Sequence, residues 1–391
     1  MENKMIYNFS KIVTQDRNSQ KWHNYADDPI VSQMWIADMD FEVANEIKES
    51  LINRIQTPIF GYTNVPDSYY DSIQKWQLNE HQWVVEKDWI VPVSGVVTGI
   101  NLVIQAFTTE GDKIVIQTPV YHSFFNCILN NNRVVVENPL EQYNDYYKID
   151  FNHLECIFRK EKPKMMILCS PHNPVGKVFS KQELESICML CSKYNVILVS
   201  DEIHQDIVFP GSSHYSVGRF KDYLENVIIL VSASKSFNLA GFKVSNSIIP
   251  NKKMRELYTQ KKKQNGPISL NILGLIACEA AYQFGKPWLK EVVNYIESNR
   301  DYALEFFKRY SNHFHIFTPS ATYFLWIKGI SDIFSKQTIA DWFLNSAKIR
   351  GNKGEDFGRS NMDFIRLNIA CRKETLVESL NRVESSLTKA M

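Results

Sequence analysis

The chain has 391 residues, 44% of them hydrophobic, enough for two domains each with its own core. With 44 Lys plus Arg against 43 Asp plus Glu, the formal charge of +1 gives no electrostatic reason to expect nucleic acid or an anionic membrane as a partner. Few glycines (15) and prolines (14), with 13% aromatic residues, exclude collagen-like and disordered classes.

The opening MENKMIYNFSKIV has no apolar stretch of secretory length, and no run of about 18 residues escapes polar interruption. A cytoplasmic protein is expected. The first 45 or so residues lack a strong period. VPVSGVVTGINLVIQAF then places a turn at Gly95 before an amphipathic helix, so the N–H groups of Val96 and Val97 would face an anion at the positive end of the helix dipole.

Short apolar runs follow: IVIQT (114–118), RVVVE (133–137), MMILCS (165–170), VILVSD (196–201), VIILVS (227–232) and VSNSIIP (244–250). Their unbroken apolar character predicts strands buried on both faces. Between two of them, SKQELESICMLCSKYN opens with Ser180 and, three residues on, Glu183, the spacing of a capping box. Strand, helix, strand predicts an α/β fold: a large domain with a mostly parallel sheet covered by helices. Cys188 and Cys191 form the one C-x-x-C, which reads as two core thiols on a helix face, with no second pair to suggest a metal or redox site. Seven scattered cysteines suggest a reducing compartment. The Lys-rich KKKQNG at 261–266 reads as a solvated helix end.

Beyond residue 285 the texture changes to a long helical stretch, the alternating runs HFHIF and TYFLWIKG, a helix-like TIADWFLNSAK and the short run FIRLNIA. These predict a smaller α+β domain. The expected division is 46–285 for the large domain, with 1–45 and 286–391 forming the small one.

Open parallel sheets bind ligands beyond the carboxyl ends of their strands. There the chain carries Tyr121, Asn173, Asp201, Ser232, Ser234 and Lys235. Singly each has an ordinary reading: Asn173, between Pro171 and Pro174, suits a turn, and Asp201 suits a helix cap. Together they meet the needs of pyridoxal 5'-phosphate: a lysine for a Schiff base, a carboxylate for the ring nitrogen, a donor for the phenolate oxygen, a ring to stack on and a phosphate cradle.

The stretches MWIADMDF (34–41), FGYT (60–63), GVVTGINL (95–102), IQTPVY (116–121), SPHNPVG (170–176), VSDEIHQD (199–206), SASKSFNLAGFK (232–243) and FIRLNIA (364–370) keep their order over nearly the whole chain. In them the chain resembles fold-type I pyridoxal-phosphate enzymes, in particular the bacterial cystathionine β-lyase-like carbon–sulfur lyases related to aminotransferases. The resemblance implies Lys235 as the Schiff-base lysine, Asp201 as partner of the pyridine nitrogen, Asn173 beside the phenolate oxygen and Tyr121 over the ring. It implies a phosphate site of Ser232, Ser234, Lys243 and the turn at Gly95, Val96 and Val97. His204 falls where that branch often carries histidine, and a helix-face histidine without a role is an equal reading. Tyr62 is similar to the tyrosine that reaches the neighbouring subunit's phosphate, which implies a homodimer with shared sites. Arg366 stands where the family grips the substrate α-carboxylate, a task suited to a planar fork.

The chain departs from the usual pattern at Ser170, at His122 and Ser123 beside Tyr121, and in SASKSFN. The implied activity is elimination of a thiol from a sulfur amino acid, giving pyruvate and ammonia. An aminotransferase would use the same residues, and a regulatory protein-binding role on the same fold is the alternative of another class. FGYT, GVVTGINL, DEIH and FIRLNIA resemble the lyase branch more than the general aminotransferases.

Overall fold

The structure is a computed structural model that describes residues 7–13, 18–23, 30–266 and 270–390. Parts of the 1–45 segment expected in the smaller domain, residues 1–6, 14–17 and 24–29, lie outside the described residues.

Seven strands form the large sheet: β1 (Ile90–Val93), β2 (Lys113–Ile116), β3 (Val134–Glu137), β4 (Met165–Cys169), β5 (Ile197–Asp201), β6 (Val227–Val231) and β7 (Ser245–Ile248). Their order is β1-β7-β6-β5-β4-β2-β3. Only β7 runs against its neighbours; every other pairing is parallel. The central strands β4 and β6 are buried throughout, as an unbroken apolar run requires when both faces are covered. One face packs on helices Val96–Phe107 and His122–Asn130, the other on Phe151–Glu161 and Lys181–Lys193.

Two strands differ from expectation. RVVVE forms β3, an edge strand whose Val134 is exposed, because no described strand pairs with its outer side. IVPV, which the sequence reading left out, forms the opposite edge. Pro92 has no N–H to give, and an edge strand is where a sheet tolerates that.

The capping box forms as its spacing predicts: Glu183 N donates to Ser180 Oγ, and Ser180 N donates to Glu183 Oε2 at 2.8 Å. Such a cap contributes about 1 kcal/mol. Cys188 and Cys191 lie buried on the inward face of this helix, and burial pushes the Cys188 thiol up to about 12. The lysine patch ends helix Lys252–Gln264, but Lys262 is partly buried and its Nζ donates to Pro92 O at 2.6 Å, sealing the edge strand.

The C-terminal part forms a second sheet of four strands: β8 (Phe314–Phe317), β9 (Phe324–Gly329), β10 (Asn352–Lys353) and β11 (Phe364–Asn368), ordered β8-β9-β11-β10 and antiparallel throughout. Helices Lys286–Arg309 and Lys373–Ala390 accompany it. The chain's start joins this part: Phe9 packs on Trp288 and Tyr295, and Ser32–Gln33 pairs in parallel with Ile349–Arg350.

Candidate active site

Where the large sheet's parallel strands end, their carboxyl ends open on a cavity of about 410 Å³, a size suited to a small cofactor with its substrate. Of the residues predicted for the site, Gly95, Val96, Val97, Tyr121, Asn173, Asp201, His204, Ser234, Lys235 and Lys243 line it. A larger depression of about 750 Å³ lies between β1 and helix Lys252–Gln264. It is shallow, and three of its cations are engaged: Lys87 with Asp67, Arg255 with the carbonyls of Ile249 and Pro250, Lys262 with that of Pro92.

Gly95 caps helix Val96–Phe107 with φ of 99°, a conformation that a side chain resists, although a Cβ there would meet nothing. The glycine therefore serves the turn that aims the helix's free N–H groups into the cavity. Gly176, at φ 69°, closes the Asn173 loop against the second sheet. Its carbonyl accepts from Ser320 N and Ala321 N, and a Cβ would lie 2.3 Å from Pro319 Cβ.

Asp201 is the last residue of β5, paired in register with Cys169 of β4. Burial raises its carboxyl to about 7, the neighbouring Glu202 adds to this, and the Ile203 N–H and Lys235 oppose it. A cation placed before it would restore the carboxylate. Lys235 Nζ donates to Ala37 O at 2.8 Å and lies 4.0 Å from Asp38 Oδ1. Burial lowers its pKa, with Asp38 working the other way. His204 is a neutral imidazole, lowered to about 3 by burial and then by Lys235 and Arg366, and its buried Nδ1 has no partner among the described residues. Burial likewise raises the Tyr121 hydroxyl.

Arg366 does not line this cavity. It projects from β11, gripped between the rings of Phe324 and Phe357 at 3.9 and 4.8 Å. Its Nη1 donates to Asn173 Oδ1 at 2.8 Å, and its Nη2 to Trp35 O and Asn352 Oδ1. Its buried Nε has no partner among the described residues, and burial lowers the guanidinium to about 10, still a cation at neutral pH. Ser232 stands behind Ser234: its hydroxyl lies 2.7 Å from Val244 O and 2.8 Å from Ser234 Oγ, and it caps the short helix Ala233–Ser236. Tyr62 is fully exposed, outside the cavity of its own chain.

Sequence reasoning missed the Ala37 carbonyl, which also accepts from the buried Tyr323 hydroxyl, and it missed Asp38, Thr98 and Asn352. Ala37 and Asp38 lie in MWIADMDF and Thr98 in GVVTGINL, so both motifs were signals; nothing singled out Asn352.

The lining fits pyridoxal phosphate. It offers an aimed helix N-terminus with Ser234 and Lys243 for a phosphate, a lysine on a backbone carbonyl, a buried carboxyl that a cationic ring nitrogen would ionise, and an orphaned imidazole nitrogen.

The profile of the aminotransferase class I and II family matches residues 36–383. The chain is 35% identical to cystathionine beta-lyase PatB of Bacillus subtilis, over 91% of this chain and 92% of that protein. Its fold superposes on cystalysin of Treponema denticola, whose crystal structure contains a pyridoxal 5'-phosphate cofactor, with a TM-score of 0.93 and 32% identity, covering 99% of this chain and all of the other. The pyridoxal-phosphate-bound C-S lyase of Staphylococcus hominis gives 0.92 and 29%, covering 98% and 99%. With its profile matched nearly end to end and a relative this similar over nine-tenths of its length, the chain belongs to the class I and II aminotransferase family.

Proposed function

We propose that the protein is a pyridoxal-phosphate-dependent carbon–sulfur β-lyase, cystathionine β-lyase-like, releasing thiols from sulfur amino acids with pyruvate and ammonia as the other products. The observation that carries this reading is the meeting of Lys235, Asp201, Asn173 and a helix N-terminus on one cavity, in a chain 35% identical to a cystathionine beta-lyase.

Lys235 would hold the cofactor, Asp201 its ring nitrogen, Asn173 and His204 its phenolate side and Tyr121 its ring face. Its phosphate would fall to the N–H groups of Val96 and Val97 beyond the Gly95 turn, with Ser234 and Lys243, while Ser232 would steady the Ser234 hydroxyl from behind. When bound, the cofactor supplies an electron sink for the pair left at Cα. The chain's own groups do the rest. Arg366, with an unused Nε and two faces fixed by aromatic rings, receives the substrate α-carboxylate. The Lys235 amine, once free, takes the Cα proton as general base. The sulfur then leaves Cβ with the bonding electrons as a thiolate, and one water completes the release of pyruvate and ammonia.

The site extends to a neighbouring subunit in this reading. The helix Asn45–Ile55 and the loop after it expose Ile52, Ile55, Ile59, Phe60 and Tyr62, an apolar run suited to the partner of a homodimer. Domains of 46–285 and of 1–45 with 286–391 suit the two sheets and the contacts of Phe9 with Trp288. A cytoplasmic location suits seven free thiols. No helix among the described residues is long and apolar enough to cross a membrane.

Pyruvate release from L-cystathionine, run beside an assay supplying a 2-oxo acid acceptor, tests the reading. Thiol and pyruvate in equal amounts without an acceptor are expected; turnover only when the acceptor is present would make the protein an aminotransferase. Tyr62→Phe should weaken cofactor retention about fivefold, the worth of one hydrogen bond, and a fully active monomer would remove the shared site.

A further inference from the structure

Two acids of the VSDEIHQD stretch have no part in the chemistry above, yet both are buried directly behind it. Asp206 accepts from Trp76 Nε1 at 3.0 Å and Ser236 Oγ at 2.5 Å, and its Oδ1 lies 2.7 Å from His81 Nε2. Glu202 accepts from Ser200 Oγ at 2.9 Å and Val217 N at 3.1 Å, and its Oε2 lies 3.1 Å from His214 Nε2. The rings of His81 and His214 meet edge to face, their centroids 5.7 Å apart. The chain of contacts therefore runs from Glu202, next to Asp201, to Ser236, next to Lys235.

Burying carboxylates is costly, and apolar packing of the same volume would usually stabilise a core as well or better. Stability alone therefore gives little reason for their presence here. Burial pushes the Asp206 carboxyl up, but His81, Ser236 and Trp76 outweigh it and hold it below its ordinary value, so it remains an anion. The element it steadies is weak by itself: helix Ala233–Ser236 has four residues, too few for its own hydrogen bonds to fix it. Lys235 sits within that helix, and its side chain must move off the Ala37 carbonyl to work while its backbone stays still.

We propose that Asp206, His81, His214 and Glu202 form a buried brace that holds the ends of β5 and β6 in register, making them positioning residues for Asp201 and Lys235. The inference rests on the roles proposed above for those two residues.

The brace is tested in the holoprotein with Ser236→Ala, Asp206→Asn, His81→Leu and His81→Gln, the last keeping an N–H near the position of Nε2. Each variant is measured for kcat, KM, melting temperature and the visible circular dichroism of the bound cofactor. Misplacing a reacting group by about 1 Å costs on the order of 100-fold, so Ser236→Ala, Asp206→Asn and His81→Leu should lower kcat about 10- to 100-fold with KM unchanged and should alter the visible dichroism. His81→Gln should recover most of kcat. Should Asp206→Asn fail to fold, Ser236→Ala, which removes one hydroxyl, decides the matter. Variants that take up pyridoxal phosphate with kcat within twofold of wild type and unaltered dichroism, even if they melt earlier, would overturn the brace alone. Wild-type protein that takes up no pyridoxal phosphate would overturn the brace and the functional reading together.

Discussion

The two sheets meet at the site with different kinds of residue. The large sheet contributes groups whose protonation is poised by burial: Asp201 raised to about 7, Lys235 lowered and His204 lowered to about 3. The four-stranded sheet contributes Arg366, clamped between two rings with both terminal nitrogens committed. One sheet supplies groups whose charge is set by burial and by what binds beside them, the other a fixed cation that orients. Damage to the first should fall on turnover and cofactor, and damage to the second on substrate binding.

The largest expected effect comes from Lys235→Ala. Without the amine, turnover should fall by at least about 10³-fold, while the phosphate cradle still retains cofactor noncovalently; steady-state rates with dialysed protein measure both. Asp201→Ala comes next, with kcat lower by about two to three decades because an uncompensated loss beside a buried charge costs a few kcal/mol. Activity within twofold of wild type would sink that role. Arg366→Ala should instead raise KM about 10- to 100-fold for every amino-acid substrate, the usual worth of a hydrogen bond to a charged group, and affect cofactor affinity much less. A variant that lost cofactor and kept KM would erase the contrast between the sheets.

The smallest effect is on stability without cofactor. The Asp201 carboxyl is raised from 3.8 to about 7 in the folded chain. Its favourable contribution is therefore complete below about 3.8 and is lost as pH rises toward about 7. In cofactor-free protein Asp201→Asn should raise the melting temperature by a few degrees at pH 8 and much less at pH 4. An equal shift at both values would mean that the carboxyl is not perturbed.

Much of this was legible in the sequence because burial on both faces leaves an unbroken apolar run, and the residue ending such a run must lie on the rim; that is how Asp201 and Asn173 stand out. Edges were less legible. Pro92 disguised β1, and the apolar β3 looked like an inner strand because periodicity does not reveal how many neighbours a strand has. Contacts between distant residues were not legible at all. Lys235 and the Ala37 carbonyl lie 198 positions apart, and nothing in either neighbourhood announces the other. The same holds for His81 with Asp206 and for Arg366 with Trp35. Ser232 could be read as a ligand, yet only its geometry reveals a hydroxyl engaged with Val244 and Ser234.

The most direct test of the rim at Lys235 as the seat of the chemistry is to reduce the cofactor-loaded protein with borohydride and locate the modified peptide by mass spectrometry. Cofactor fixed on Lys235 and absent from Lys243, which lines the same cavity, is the predicted result. Cofactor fixed on Lys243, on another lysine or on none would contradict it.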